Sequence, residues 1–365
     1  MEQGMNMRKL RAANRRVVLD CIREFGKQSH KDIAERTGLT QASLTKITQP
    51  LIDEGVLYEC GKKDSGGAGR RKVLLSINSD YATLISITIS QEETKIIFYD
   101  LGGNEIVKRS FVTDHDVSPK EFLVYICNEV RNILTIENPE LGYKEHKAVG
   151  IAMDGIVKEG MGICSCVFGL WHEDVPVKEI VEEELHLPTI VESSINAFAT
   201  SERVIGGQVM DHSLFVKWGP GLTGCILDKD EVFKWATQID FGQIRKAAGV
   251  TLDSQMSGQN FWRKFTVQNN TFWELWENGT EEDRRRLEEC LTALAHVLST
   301  VYIILKPKHI VILGSVCLCP PVCEHLMELS EEFSPGIRKL CCLRKASIET
   351  SNAGVAAIAM HEYIF

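Results

Sequence analysis

Hydrophobic and polar positions change period several times along the chain. In residues 14–26, NRRVVLDCIREFG, the residues Val17, Val18, Cys21, Ile22 and Phe25 fall on one helical stripe that Gly26 stops. HKDIAERTGLT predicts a short helix, then a Gly-Leu turn with Thr40 as the N-cap of a third helix. That helix, QASLTKITQPLIDEGVL, points Leu44, Ile47, Leu51 and Ile52 inward, with a kink or break expected at Pro50. VLYECGKKDSGGAGRRKVLLSI then reads as two strands around a Gly-rich basic tip. The set is a helix-turn-helix followed by a wing.

From residue 80 the pattern alternates between strands and helices, which predicts an α/β body. YATLISITIS reads as a strand, and TKIIFYDLGGNEIVKRSFV as a hairpin turning at Gly102-Gly103. Residues 119–136 form an amphipathic helix, and KAVGIAMDGIV a buried strand ending in a loop that contains Gly155. A second round begins near DHSLFVKWGPGLTGCILDKDEVF, with a strand, a Gly-rich turn and a strand. A long helix over 281–305, the strand HIVILG and a small-residue helix, SNAGVAAIAMHEY, close the chain. Two similar halves predict two lobes with a cleft between them.

Charge changes how the first segment is read. Residues 1–79 carry 15 Lys and Arg against 9 Asp and Glu, while the remainder carries 26 against 41. A basic head on an acidic body points to a head that meets a polyanion. The start of the third helix would enter a DNA major groove, with Gln41, Ser43, Thr45 and Lys46 toward the bases. Lys62, Lys63, Arg70 and Arg71 on the wing suit phosphates or the minor groove. The competing reading is a solvated charged face on a small helical domain; spacing, charge and wing together favour DNA.

Composition adds less. The 365 residues, 44% apolar and 25% charged, suit a soluble protein of two or three domains, and no apolar run approaches a membrane span. The basic N-terminus lacks the apolar core of a secretion signal, so the cytoplasm is expected. Most of the twelve cysteines sit singly in apolar runs and read as small hydrophobes, not as a disulfide scaffold.

Several stretches carry a more specific likeness: DLGGNEI, VGIAMDGIV, GLWHEDVPVKEIVEEELHLPTIVE, GPGLTGCILDKDEVF, KPKHIVILGS and NAGVAAIAM. In sequence, and in the order of elements over nearly the whole chain, this resembles the ROK family of repressors, open reading frames and sugar kinases. The winged head is what the family's repressor branch carries. The resemblance implies an α/β, two-lobed actin-like, hexokinase-like (ribonuclease H-like) body behind the winged helix-turn-helix. It divides the chain into 1–79, a first lobe of 80–200 plus 350–365, and a second lobe of 201–349.

The same resemblance shows what this chain lacks. Where kinases of the family read E-N-D-A-N-A, residues 192–197 read ESSINA, so the catalytic Asp falls on Ser194 and the sugar-binding Asn on Ser193. A serine hydroxyl is no general base at neutral pH. The first phosphate loop, D-x-G-G-T in kinases, corresponds to SQEET at 90–94, where Glu92 and Glu93 bring bulk and the wrong charge. GPGLTG at 219–224 keeps three glycines that could simply turn a hairpin. In place of the family's zinc-site His stands Phe241, and in place of a sugar-contacting Glu stands Gln238. Neither a metal nor a cofactor is expected. Cys317, Cys319 and Cys323 have thiolate-ligand spacing, but no fourth ligand is evident beyond His325, and loop thiols are the preferred reading. The aromatics Trp262, Phe265, Phe272, Trp273 and Trp276 are read as core or dimer contacts, not a ligand cage.

The expected function is a homodimeric or larger DNA-binding transcription regulator, a repressor, whose sugar-kinase-like body senses a sugar or related effector without catalysis. The double-stranded operator is the expected partner, and no membrane. An effector pocket is expected around Gly155, Ser193, Ser194, Asn196, Gln238 and Phe241. Two alternatives stand beside this: an ATP-dependent sugar kinase, and a regulator whose body only dimerises.

Overall fold

The structure is a computed structural model and describes residues 2–63, 72–158, 160–204, 212–227, 237–247, 250–267, 270–344 and 348–365. The head begins with α1 (Glu2–Phe25), which Gly26 ends at φ +70°. Its buried face is Val18, Leu19, Cys21 and Ile22. Val17 and Phe25, expected inside, are each 43% exposed, because Leu19 takes the inward position of the stripe. The Arg36 guanidinium covers Phe25, 3.8 Å from the ring centre. A short strand, β1 (Gln28–Ser29), leads into α2 (His30–Thr37), where Ser29 and Asp32 form a capping box. Gly38 closes α2 in the left-handed conformation.

Thr40 caps α3 (Gln41–Asp53) by accepting a hydrogen bond from the Ser43 amide. The helix continues past Pro50 without the expected break, since only three residues remain to be wound beyond it. It stops at Asp53, short of the predicted end. The strands β2 (Leu57–Lys63) and β3 (Lys72–Ile77) pair antiparallel as the wing, and β1 adds to β3.

The body repeats one topology twice. In the first sheet, β4 (Thr83–Ile89), β5 (Glu93–Asp100) and β6 (Glu105–Val112) form an antiparallel meander. Helix α4 (Pro119–Asn132) covers it, and β7 (His146–Met153) lies parallel to β4. A small hairpin of β8 (Gly155–Lys158) and β9 (Ile163–Val167) precedes α5 (Val177–Leu185) and β10 (Thr189–Ser193), giving the order β10-β7-β4-β5-β6. Helix α6 (Ser194–Val204) then leads to the second sheet.

There β11 (Ser213–Trp218), β12 (Leu222–Leu227) and β13 (Thr237–Ile239) form the meander. The short hairpin β14 (Arg245–Ala247) and β15 (Val250–Thr251) and the helices α7 (Leu252–Met256), α8 (Gly258–Trp262) and α9 (Phe272–Asn278) follow. Then come α10 (Glu281–Leu305), β16 (His309–Gly314), α11 (Pro320–Phe333) and β17 (Cys341–Arg344). The order β13-β12-β11-β16-β17 matches the first sheet position for position. Helix α10 is long and apolar enough to cross a membrane by length and composition, but its apolar face packs into the core of this sheet.

The last helix, α12 (Ile348–Tyr363), returns to the first sheet and lies against α6. Small residues permit this: a side chain on Gly354 would stand 1.7 Å from the Ala197 carbonyl, and one on Gly150 would stand 2.6 Å from that of Val355. Beyond the sheets, α12 reaches the head. Ala359, Met360, Ile364 and Phe365 share one apolar cluster with Val18, Leu19 and Ile22. Arg15 pairs with both carboxylate oxygens of Glu54 and donates to the Ile364 carbonyl.

His361 is buried at this junction. Burial, reinforced by Arg16 and Arg23, pushes its pKa down to about 3 from an ordinary 6.5. Asp20 lies 3.9 Å from its Nε2 but is committed to Arg23 at 2.9 Å. Below about 6.5 the unfolded chain takes up a proton that the folded chain refuses, so stability is lost as pH falls from there toward 3. Thermal melts between pH 7 and pH 4 should therefore drop more steeply for the native chain than for His361→Gln. Parallel profiles would exclude this coupling.

Candidate effector cleft

The carboxyl ends of β4, β7, β10, β11 and β16 converge on the space between the lobes, where open α/β sheets bind ligands. A cavity of about 720 Å³ lies there. Its floor is an ion pair between lobes: Lys217 Nζ, on β11, is 2.7 Å from Asp154 Oδ1, which follows β7. Ser194 Oγ is 3.2 Å from both partners. Asp154 and Lys217 are 10% and 18% exposed, so the pair is largely withdrawn from water.

Of the residues expected to form the pocket, only Ser194 lines this cavity. Ser193 is buried, and its hydroxyl accepts from the Asn196 amide as a helix cap. Asn196 donates to Glu192. Gln238 instead joins the lobes through its amide, donating to the Gly155 carbonyl at 2.7 Å and accepting from the Val157 amide at 3.2 Å. Phe241 is in the core, so close to Gly224 that a β-carbon there would overlap its ring. Gly155 is itself a packing glycine, with the Cys166 carbonyl against its α-carbon. Apart from Ser194, these residues thus make internal contacts of the protein.

The two loops compared with phosphate loops are also engaged internally. Ser90 and Glu93 close the β4–β5 turn through three hydrogen bonds. In GPGLTG, the Gly219 amide donates to the Gly221 carbonyl and the Leu222 amide donates to Asp253. Gly221 makes room for the Phe168 ring. This loop turns a hairpin.

A second cavity, of about 580 Å³, adjoins the first and shares Gln91, Pro220 and Gly258 with it. Burial, then the neighbouring Asp253, raises the Asp240 carboxyl pKa, and Asp240 Oδ1 has no hydrogen-bond partner. Cys166, 3.2 Å from His172 Nδ1, is pushed up to about 11 chiefly by burial.

The aromatic segment does more than fill a core. Phe265 and Phe272 lie in the core, as expected, together with Phe261 and Trp218, but Phe261, Trp262 and Phe272 also wall the large cavity. Trp273 and Trp276 are exposed at 43% and 37%. Cys319 and Cys323 are buried, and Cys317 and Cys323 donate to backbone carbonyls. His325 binds Glu288. Among the described residues no group of three or more His, Cys, Asp or Glu side chains could hold a metal.

In the head, Gln41, Thr45 and Lys46 are exposed at the start of α3. Ser43 is half-buried and hydrogen-bonded to Thr40. Lys62 and Lys63 lie on β2, while Arg70 and Arg71 lie outside the described residues.

Residues 86–234, most of the first lobe and the start of the second, match the ROK family. That stretch is similar to a ROK domain. Among curated relatives, the putative xylose repressor of Caldicellulosiruptor sp. (strain Rt8B.4) is 27% identical over 228 residues, 62% of this chain and 56% of that protein. The N-acetylglucosamine repressor of Escherichia coli O157:H7 is 23% identical over 231 residues, 62% of this chain and 55% of that protein. The chain thus spans little more than half the length of these relatives. In fold, it is similar to a ROK family transcriptional regulator described as a homologue of the E. coli MLC protein. The TM-score is 0.79 at 18% identity, covering 96% of each chain. A ROK family glucokinase from Streptomyces griseus, solved with glucose and AMPPNP, gives a TM-score of 0.60 at 18% identity, over 76% of this chain and 99% of that one. The fold is therefore a two-lobed actin-like body, shared with these ROK structures, with a winged head in front.

Asp154 and Lys217 escaped the sequence reading. The available signal was a single charge inside the apolar strand SLFVKW.

Proposed function

We propose that the chain is a sequence-specific, DNA-binding transcription repressor whose body senses a small molecule and does no catalysis. The observation that carries this reading is the exposed start of α3, with Gln41, Thr45 and Lys46, on a winged head. Relatives named as repressors of xylose and N-acetylglucosamine support it. The working form is a cytoplasmic homodimer, since two heads match a two-fold operator. Its units are 1–79, 80–200 with 350–365, and 201–349.

Helix α12 supplies a route from body to head. Ser351, near its start, lines the cavity and donates to the Ser194 carbonyl, and its other end packs on α1. The 16-residue helix spans about 24 Å as one rigid element. Movement of the lobes about an effector would therefore reorient the head.

A kinase reading would need a free carboxylate beside the sugar hydroxyl. Of the carboxylates that line the cavity, Asp154 is the one beside Ser194, and Lys217 holds it. Hexoses and N-acetylhexosamines with ATP should accordingly give no sustained ADP release, and steady turnover would overturn the non-catalytic reading.

The full-length chain should retard DNA from its own upstream region, with affinity falling steeply as salt rises. Gln41→Ala should lose about 1–3 kcal/mol on the preferred site and change which sequence is preferred. Lys46→Ala should weaken binding to all sequences and flatten the salt slope by about one. Salt-independent or absent retardation would remove the repressor reading.

A further inference from the structure

Two surfaces of opposite charge expose apolar side chains. The first lies on the second lobe, where Trp273 and Trp276 of α9 and the nearby Leu318 are 43%, 37% and 49% exposed. The Trp273 indole donates to the Leu318 carbonyl at 2.7 Å, and the Trp276 ring lies 6.2 Å from that of His325 on α11. Around them, α9 and α11 carry Glu274, Glu277, Glu324, Glu328, Glu331 and Glu332 and neither Lys nor Arg. Glu324, Glu328 and Glu332 recur every fourth residue and are exposed, so they form a line of like charges along α11 that repel one another. Arg338 pairs with Glu324, and His325 approaches Glu328 at 3.6 Å. Tryptophan rings set among carboxylates suit Lys or Arg, which both the ring faces and the negative charge attract.

The second surface is the first half of α1. The apolar core of the head takes Val18, Leu19, Cys21 and Ile22 from this helix, whereas Leu10 and Val17, on one stripe, are 59% and 43% exposed. The stretch RKLR at 8–11 is cationic without an acid, and Arg11 is exposed. DNA does not account for this charge. Phe25, at the other end of α1, lies under Arg36 of α2, beside the turn into α3, while Arg15 pairs with Glu54, just past the last residue of α3. The helix thus runs from the groove end of α3 to its far end, and residues 2–14 continue away from the bases for about 20 Å. Within one chain α1 packs on α12 and the first lobe, whereas α9 and α11 cover the second sheet, so the two surfaces meet between copies.

We propose that the RKLR end of α1 docks on the Trp273–Trp276 face of a second copy, reciprocally, so that each head helix reaches the other body. The inference rests on the homodimer reading above and names its contact. A reciprocal contact is made twice and closes the dimer. The test is sedimentation of the full-length chain over a range of concentrations, with tryptophan emission recorded alongside. Arg11→Glu and Glu277→Lys each weaken the dimer about tenfold, and the two together restore it, because the charges are then exchanged across the contact. Assembly of the native chain shifts the emission to shorter wavelength, and Trp273→Phe with Trp276→Phe removes that shift. All four positions are exposed, and circular dichroism confirms that the variants are folded. Unaltered dissociation in both single charge variants, a double variant as weak as the singles, or constant emission through assembly overturns the proposal. These outcomes leave the homodimer standing and remove this contact alone, whereas a native chain that is monomeric at every concentration removes both.

Discussion

Asp154→Asn should destabilise the chain by about 2–3 kcal/mol, read from chemical denaturation midpoints. The substitution keeps the shape but leaves the Lys217 ammonium largely buried with only a hydroxyl and an amide beside it. The cost arises from an unpaired charge and not from the loss of a net favourable pair, because desolvation offsets most of the attraction between buried ions. Asp154→Asn combined with Lys217→Met should for that reason lie within about 1 kcal/mol of the native chain. A double variant no more stable than the single one would show that the pair is not the source. The cycle also addresses function, since the pair ties one lobe to the other across the cleft.

Gly354→Ala should cost about 3 kcal/mol, and here helix propensity and packing predict opposite signs. In an isolated helix the change would stabilise by about 1 kcal/mol. In α12 the new methyl would meet the Ala197 carbonyl at 1.7 Å, an overlap with backbone that no rotamer relieves. Separation of α6 and α12 is the remaining response, and it would disturb both lobes at once. A higher melting temperature in the alanine variant would mean that the two helices have room to part.

The periodicity of the chain was enough to read most of the architecture. Alternation in YATLISITIS and HIVILG, the Gly102-Gly103 turn and the Thr40 cap all correspond to elements where they were expected. Val17 and Phe25 were misassigned because a helical stripe leaves its flanks ambiguous, and tertiary packing selected Leu19 instead. The site was less legible. Gln238 and Phe241 occupy positions that resemble sugar contacts, yet an amide can satisfy a neighbouring strand and a phenyl ring can fill a core, and both do so here. Asp154 and Lys217 are 63 residues apart, and only the folded sheets bring them together.

The cluster that joins α1 to the end of α12 bears on how such a protein can be rebuilt. Met360, Ile364 and Phe365 complete the interior of the winged unit, so the head is not a bead on a string. Cut out at residue 79, it would expose the apolar surface that they cover. A chimera that places this head on another body needs the matching helix end as well. Exchange of DNA specificity between bodies is therefore simplest by replacing the exposed residues of α3 and leaving the join intact.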